Sequence, residues 1–240
     1  MLKAILFDFN GVIINDEPLH QELIDEILLQ ENLRPRAGEF EEFCLGRSDR
    51  VCLFDLLSSR GRTVSDSYLS KLIETKAKAY QQRLEKLEAL PIYSGLTDIL
   101  AKIQEKGLKI AVVTGALRSE VKLVLERIGI ASYFNVIVAG DEIKASKPQP
   151  DGYLLAVERL NRVDITLQLQ PSNCLAIEDT PAGIQAAKNA GMPVVGIANT
   201  YPFHMMQRLA NWAIDDLRDL ELERIEQVFD REKRSLHQTF

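Results

Sequence analysis

The chain opens on a short apolar run, residues 2–7, which ends at an acid, Asp8. A run of that length, closed by the turn signal Asn10-Gly11, predicts a buried parallel strand. From Asp16 to about Glu88 the period becomes helical. Leu19, Leu23, Ile24, Ile27 and Leu28 make one apolar stripe. Val51, Leu53, Phe54, Leu56 and Leu57 make a second, and Leu69, Leu72, Ile73, Ala77, Tyr80, Leu84 and Leu87 a third. With few strand signals among them, these stripes predict an all-helical insertion, roughly a four-helix bundle.

Beyond Pro91 strands and helices alternate. A helix starting at Ser94 or Thr97 and ending near Gly107 precedes a strand over residues 109–113. A helix over 117–128 stops at Gly129, and a strand follows over 136–139. Next come a helix over 151–160, a strand over 174–177, a helix over 181–190 and a strand over 194–197. Pro181 suits the first turn of its helix and Gly191 its stop. The alternation predicts an α/β fold, a doubly wound parallel sheet with right-handed crossovers. The first strand joins that sheet and the helical block is an excursion from it. The domains expected are therefore a core of residues 1–15 and 91–240 and a cap of residues 16–90. The charged stretch 215–240 reads as a surface helix with a loose tail.

Composition narrows the function classes. The formal charge of -6 (29 basic and 35 acidic residues) offers no footprint for nucleic acid and no attraction to anionic membranes. No apolar run is long enough to span a bilayer, and the short apolar opening lacks the cleavage site of a signal peptide. Cys44, Cys52 and Cys174 are an odd set without a C-x-x-C pair. That argues against a disulfide framework and a thiolate metal site, and for a reducing cytoplasm. A monomer or weak dimer is expected.

Sites in a doubly wound sheet form at the carboxyl ends of strands. Asp8, Thr114, Lys147 and the pair Glu178-Asp179 all fall at such ends or in the loops after them. Singly, each has a plain structural reading as turn former, helix cap, solvated cation or helix-dipole partner. Jointly they are the parts of phosphoryl transfer. The oxygen-rich cluster of Asp8, Glu178 and Asp179 suits a hard cation such as Mg2+. A hydroxyl and following N–H groups at a strand-to-helix turn suit a phosphate oxygen. A lysine supplies a point charge, and a carboxylate attacks phosphorus once that charge is offset.

The order of these motifs resembles the haloacid dehalogenase-type superfamily, and within it the beta-phosphoglucomutase-like phosphatases with a helical cap. The motifs are Leu6-Phe7-Asp8-Phe9-Asn10-Gly11-Val12, Val112-Val113-Thr114-Gly115, Lys147-Pro148 and Ile177-Glu178-Asp179-Thr180-Pro181, and the likeness runs from Leu2 to about Thr200. It implies a Rossmann-like core and a magnesium-dependent phosphatase or phosphotransferase for a small phosphorylated metabolite. Asp8 would be the nucleophile that becomes an aspartyl phosphate. Asp8, Asp179 and the main-chain carbonyl of Asn10 would hold Mg2+, with Glu178 a further acid there. Thr114, the N–H of Gly115 and Lys147 would hold the transferring phosphoryl group.

Asn10 departs from the pattern, which places there an aspartate that protonates the leaving oxygen and later activates water. An amide does neither. Three readings stand open: a slow or purely binding protein, a replacement introduced to trap a complex, or another acid such as Glu17 or His20 in that role. The alternative to an enzyme is a regulatory or phosphate-ligand-binding protein that keeps the fold. In the cap, His20 reads equally as a site residue or a helix-surface residue. Arg47, in Leu45-Gly46-Arg47-Ser48, is expected to contact substrate, with Arg47 or Arg50 facing a second anionic group. Arg118, four residues past Thr114, is a specificity candidate. Phosphonate-cleaving chemistry needs a cap lysine, and none occurs between Lys3 and Lys71.

Overall fold

A computed structural model describes the backbone of residues 1–237 and side chains as far as Arg231. The first apolar run forms β1 (Ala4–Phe7). Four helices follow as the cap: α1 (Glu17–Gln30), α2 (Glu39–Phe43), α3 (Asp49–Ser59) and α4 (Asp66–Glu85). The chain then returns to the core through α5 (Leu96–Glu105), β2 (Lys109–Val113), α6 (Arg118–Arg127) and β3 (Val136–Val138). It continues through α7 (Asp151–Val163), β4 (Cys174–Glu178), α8 (Pro181–Asn189) and β5 (Val194–Ile197). Last come α9 (Phe203–Leu209), β6 (Trp212–Ile214) and α10 (Leu222–His237).

The six strands form one parallel sheet in the order β3-β2-β1-β4-β5-β6. Strand alternation divides the core between the two faces. Ile5, Phe7, Ile110 and Val112 pack with Leu100, Ile103 and Val121 of α5 and α6. Ala4, Leu6, Ala111 and Val113 pack with Tyr153, Ala156 and Leu160 of α7 and Ile184 of α8. Burial on both faces explains why the central strands read as continuous apolar runs. The cap has its own core, with Ile24, Ile27, Leu53, Leu56, Leu57, Leu69 and Ile73. Leu23, Tyr80 and Leu84 lean the other way and join the core of the sheet domain.

Three expectations change. The sequence reading missed α9 and β6, because a seven-residue helix and a three-residue edge strand are too short for a periodic signal. The charged C-terminal stretch is not merely a surface helix: Leu222, Ile225 and Phe229 of α10 are buried against the sheet domain. Its expected loose tail falls largely outside the described residues. The third change concerns cysteine. Cys44 and Cys52 form a disulfide, because the loop between α2 and α3 doubles back and brings their Cα atoms to 4.5 Å. The thiol argument for a reducing cytoplasm therefore lapses. Among the described residues, no helix is long and apolar enough to cross a membrane.

Leu6 is fully buried in the central strand, with strands paired on both sides. Leu6→Ala is expected to cost about 2–5 kcal/mol of unfolding free energy; equilibrium urea denaturation checks this, and a loss below about 1 kcal/mol would contradict the packing described.

Candidate active site

The register of the sheet sets the site. Phe7 lies beside Val112 and Ile177, so Asp8, Thr114 and the pair Glu178-Asp179 emerge together at one edge. All are at most 4% exposed, as β-strand geometry and flanking helices exclude water there. Asp8, Glu178 and Asp179 each offer a carboxylate oxygen within 4.8 Å of the others. One cation answers the three acids: Lys147 Nζ lies 2.8 Å from Asp8 Oδ2 and 2.6 Å from Glu178 Oε1. The Phe9 N–H donates to Asp8 Oδ1 at 2.7 Å. Tyr153 donates to Glu178 Oε1 at 2.5 Å, and Thr200 to Asp179 Oδ2 at 2.5 Å.

This leaves an excess of buried negative charge. Glu178 Oε2 and Asp179 Oδ1 have no hydrogen-bond partner. Burial first, and the neighbouring acids second, push both carboxyls well above the carboxylate range. Lys147 is also shifted upward: burial opposes its charge, but Asp8 and Glu178 outweigh burial and hold it protonated. Buried hard oxygens with free lone pairs and surplus negative charge fit a divalent cation such as Mg2+.

Thr114 Oγ1 accepts from the Ala116 N–H at 3.0 Å, which leaves the hydroxyl proton to donate into the cleft. The cap closes over this turn. A side chain on Gly115 would meet the Arg47 carbonyl at 2.8 Å, and the Ser48 N–H donates to Ser146 Oγ at 2.8 Å. Gly46 has φ +71°, and a Cβ there would meet Thr180 Oγ1 at 2.5 Å. Only glycine combines that backbone with so close an approach. The cleft between cap and core is narrow, a cavity of about 40 Å3 that opens to solvent. Asp8, Asn10, Glu17, His20, Asp49, Lys76 and Thr114 are among its walls.

Asn10 is engaged rather than free. Its amide nitrogen donates to Asp16 Oδ1 and Oδ2 at 2.9 and 3.1 Å. Tyr80 donates to the same carboxylate at 2.5 Å. Asp16 is buried, yet His20, Tyr80 and Asn10 together overcome the burial cost and lower its pKa. His20 is buried too. Lys76 Nζ lies 2.7 Å from its Nδ1, while its Nε2 lies 3.1 Å from the Asn10 amide nitrogen and 3.3 Å from Asp16 Oδ2. Lys76 also pairs with Asp49 at 2.7 Å.

The comparisons with known proteins fit this geometry. The haloacid dehalogenase-like hydrolase family matches residues 5–197. The chain belongs to that family. This hydrolase is 30% identical over 84% of its length to the beta-phosphoglucomutase of Bacillus subtilis strain 168, covering 85% of that protein. It is 28% identical to a phosphorylated carbohydrates phosphatase of Thermotoga maritima, over 80% of this chain and 82% of the relative. Its fold matches a crystal structure of beta-phosphoglucomutase from Clostridium difficile with a TM-score of 0.83, at 24% identity and over 97% and 99% of the two chains.

Not every predicted residue of the hydrolase reaches the cleft. Arg118 pairs with Glu142 at 2.5 Å and the Ile137 carbonyl, away from the cleft lining. Arg47 does line the cleft, with its guanidinium held by Asp55 at 2.6 Å, whereas exposed Arg50, held by Ser70 at 2.8 Å, is not in its wall. Sequence reading missed Lys76, Asp49, Asp16, Tyr153 and Thr200. Lys76 left a legible sign, a lone charge on the apolar face of α4 between Ile73 and Tyr80. The others are set by tertiary contact and left none. Lys76 is the cap lysine absent from the stretch before Lys71. Burial opposes its charge, but Asp49 and Glu120 raise its pKa, so it is no amine nucleophile.

Glu17 is the titratable wall of the cleft. Burial pushes its carboxyl up from 4.5 to about 7, with Asp16 and Asp8 adding and His20 opposing. A folded-state pKa above the unfolded one gives stability that is full below pH 4.5 and is lost as pH rises through 7. Glu17→Gln is therefore expected to raise stability at pH 8 by on the order of 2 kcal/mol, allowing for partial exposure. Below pH 4.5 the difference should vanish. Thermal denaturation of both proteins across pH 4–8 checks this; a gain of equal size at both ends would show that charge is not its cause.

Proposed function

We propose that this hydrolase is a magnesium-dependent phosphatase or phosphotransferase for a small phosphorylated metabolite, acting through an aspartyl phosphate on Asp8. The observation that carries the reading is the buried set Lys147, Glu178 and Asp179 gathered around Asp8, which itself lines the cleft under the cap together with Thr114. The sugar-phosphate chemistry named for the relatives supports the substrate class.

Asp8 Oδ2 attacks phosphorus, the ester P–O bond breaks, and the leaving oxygen takes a proton from solvent, since Asn10 has none to give. Lys147, the Thr114 hydroxyl and the Gly115 N–H hold the phosphoryl oxygens. Asp8, Asp179 and the Asn10 carbonyl would hold Mg2+, with Glu178 beside them; the ion supplies charge neutralisation of the phosphoryl group. Water then attacks the aspartyl phosphate, the P–O bond to Asp8 breaks, and the water proton passes to bulk solvent, which makes this step slow. Asn10 cannot take it, and its amide is occupied by Asp16.

That last fact favours a second reading, a phosphate-ligand-binding protein with little turnover. It also recasts position 10. Asn10 and Asp16 form a buried amide–carboxylate pair, so Asn10→Asp alone sets two carboxylates about 3 Å apart, which costs stability. Asn10→Asp combined with Asp16→Asn reverses the pair and keeps its hydrogen bond. The wild type is expected to release a stoichiometric burst from an aryl phosphate and then to turn over slowly. The double variant should turn over about 10²–10⁴-fold faster, the worth of a positioned acid/base. Asp8→Ala should fold and release nothing. Stopped-flow kinetics measure the burst, and peptide mass spectrometry excludes deamidation at Asn10-Gly11. Steady turnover without a burst, equal in wild type and double variant, would remove position 10 from proton transfer; phosphate release by Asp8→Ala would overturn the nucleophile.

A further inference from the structure

The cap side of the cleft carries its own specificity statement. Its cations are already answered. Lys76 Nζ, buried on α4, uses its three N–H donors on Asp49 Oδ1, Asp49 Oδ2 and His20 Nδ1, at 2.7, 2.9 and 2.7 Å. His20 places its Nε2 3.3 Å from Asp16 Oδ2. Arg47 is paired with Asp55 at 2.6 Å and reaches the Phe43 carbonyl at 3.2 Å. Arg50 is exposed and turned to Asp66 and Ser70. An anion entering this half of the cleft would have to compete with Asp49 or Asp55 for a positive partner.

The carboxylate of Glu17 is the opposite case. It lines the same cleft as Asp8 and Thr114. Among the described residues it makes no ion pair and no hydrogen bond, although burial penalises its charge. Asp49, also in the wall, is balanced by Lys76. Above about pH 7, where Glu17 is ionised, the net bias of the leaving-group half is negative, with one acceptor waiting for donors.

Resting on the phosphatase reading above, we propose that the preferred substrate is a monophosphate ester of an amine-bearing, polyhydroxylated alcohol, with Glu17 receiving the ammonium group. Neutral polyol monophosphates are accepted less well, and a second phosphate or a carboxylate on the leaving group is rejected. The ammonium group meets the unpaired carboxylate in a charge-assisted hydrogen bond. A second anion meets Glu17 and finds each cap cation already paired.

The test is calorimetric titration of the full-length protein in magnesium buffer with three non-hydrolysable methylenephosphonate isosteres. They represent a hexose monophosphate, the matching amino-hexose monophosphate, and the matching hexose bisphosphate. The amine isostere is expected to bind about tenfold tighter than the neutral one, and the bisphosphate isostere about tenfold weaker. Glu17→Gln should bring the amine and neutral isosteres together. Asp55→Ala, which frees Arg47, should narrow the penalty on the bisphosphate isostere. Tighter binding of the bisphosphate isostere by wild type, an amine preference that survives Glu17→Gln, or no binding by any isostere would overturn the inference. Release of phosphate from an aryl phosphate, measured on the same batch, reports separately on the hydrolase reading. The predicted binding order without that release would sink the hydrolase and leave the specificity standing; the reverse result would do the opposite.

Discussion

Three buried carboxylates share one lysine at the carboxyl edge of the sheet, and much of the surrounding structure is arranged to tolerate that. Lys147 bridges Asp8 and Glu178. Tyr153 reaches across from α7 to the Glu178 oxygen that Lys147 also holds, and Thr200, from the loop after β5, donates to Asp179, which Lys147 does not reach. Even the small residues respond: a Cβ on Gly11 would fall 1.8 Å from Asp179 Oδ2, and one on Gly183 the same distance from Glu178 Oε2. Two oxygens still lack partners. Concentrated negative charge of this kind costs folding energy unless a cation or a phosphoryl-bound cation complex repays it, so stability and ligand binding are coupled through the same four side chains.

Most of the fold was legible because the sheet is buried on both faces and its connections are helices of ordinary length. Apolar runs at β1, β2, β4 and β5 and helical stripes in the cap follow directly from that burial. What failed were elements whose existence depends on neighbours. β6 pairs with β5 through only three residues, Trp212, Ala213 and Ile214. The Cys44–Cys52 bond depends on a loop that folds back, a spacing that carries no signature in the chain.

The candidate site divides in the same way. Asp8, Thr114, Lys147, Glu178 and Asp179 could be picked out because strand ends are readable and their chemistry is distinctive. Arg118 could not be placed, since four residues beyond Thr114 the helix has already turned it toward Glu142. Arg47 was expected to present charge to a ligand, but Asp55, eight residues on, was not visible as its partner. Spacing predicts which residues approach a site, whereas side-chain direction depends on who else is within reach.

The Asn10–Asp16 pair joins these themes. Taken alone, Asn10 is a missing acid. In the folded protein it is half of a hydrogen-bonded pair whose other half, Asp16, is held by Tyr80 from α4 and lies beside His20 on α1. Through His20 the pair touches Lys76, and through Lys76 it touches Asp49 on α3. One continuous polar chain thus runs from the loop after Asp8 into three helices of the cap. Buried polar networks of this kind are stable only when each member is satisfied, and drawing α4 away from the core would strip the Tyr80 donor from Asp16. The residue at position 10 therefore sets how tightly the cap is held as well as what proton chemistry is available. An aspartate there would compete with Asp16 for the same donors, whereas asparagine completes the chain; the amide that removes an acid from the site also favours the closed cleft in which a ligand would be held.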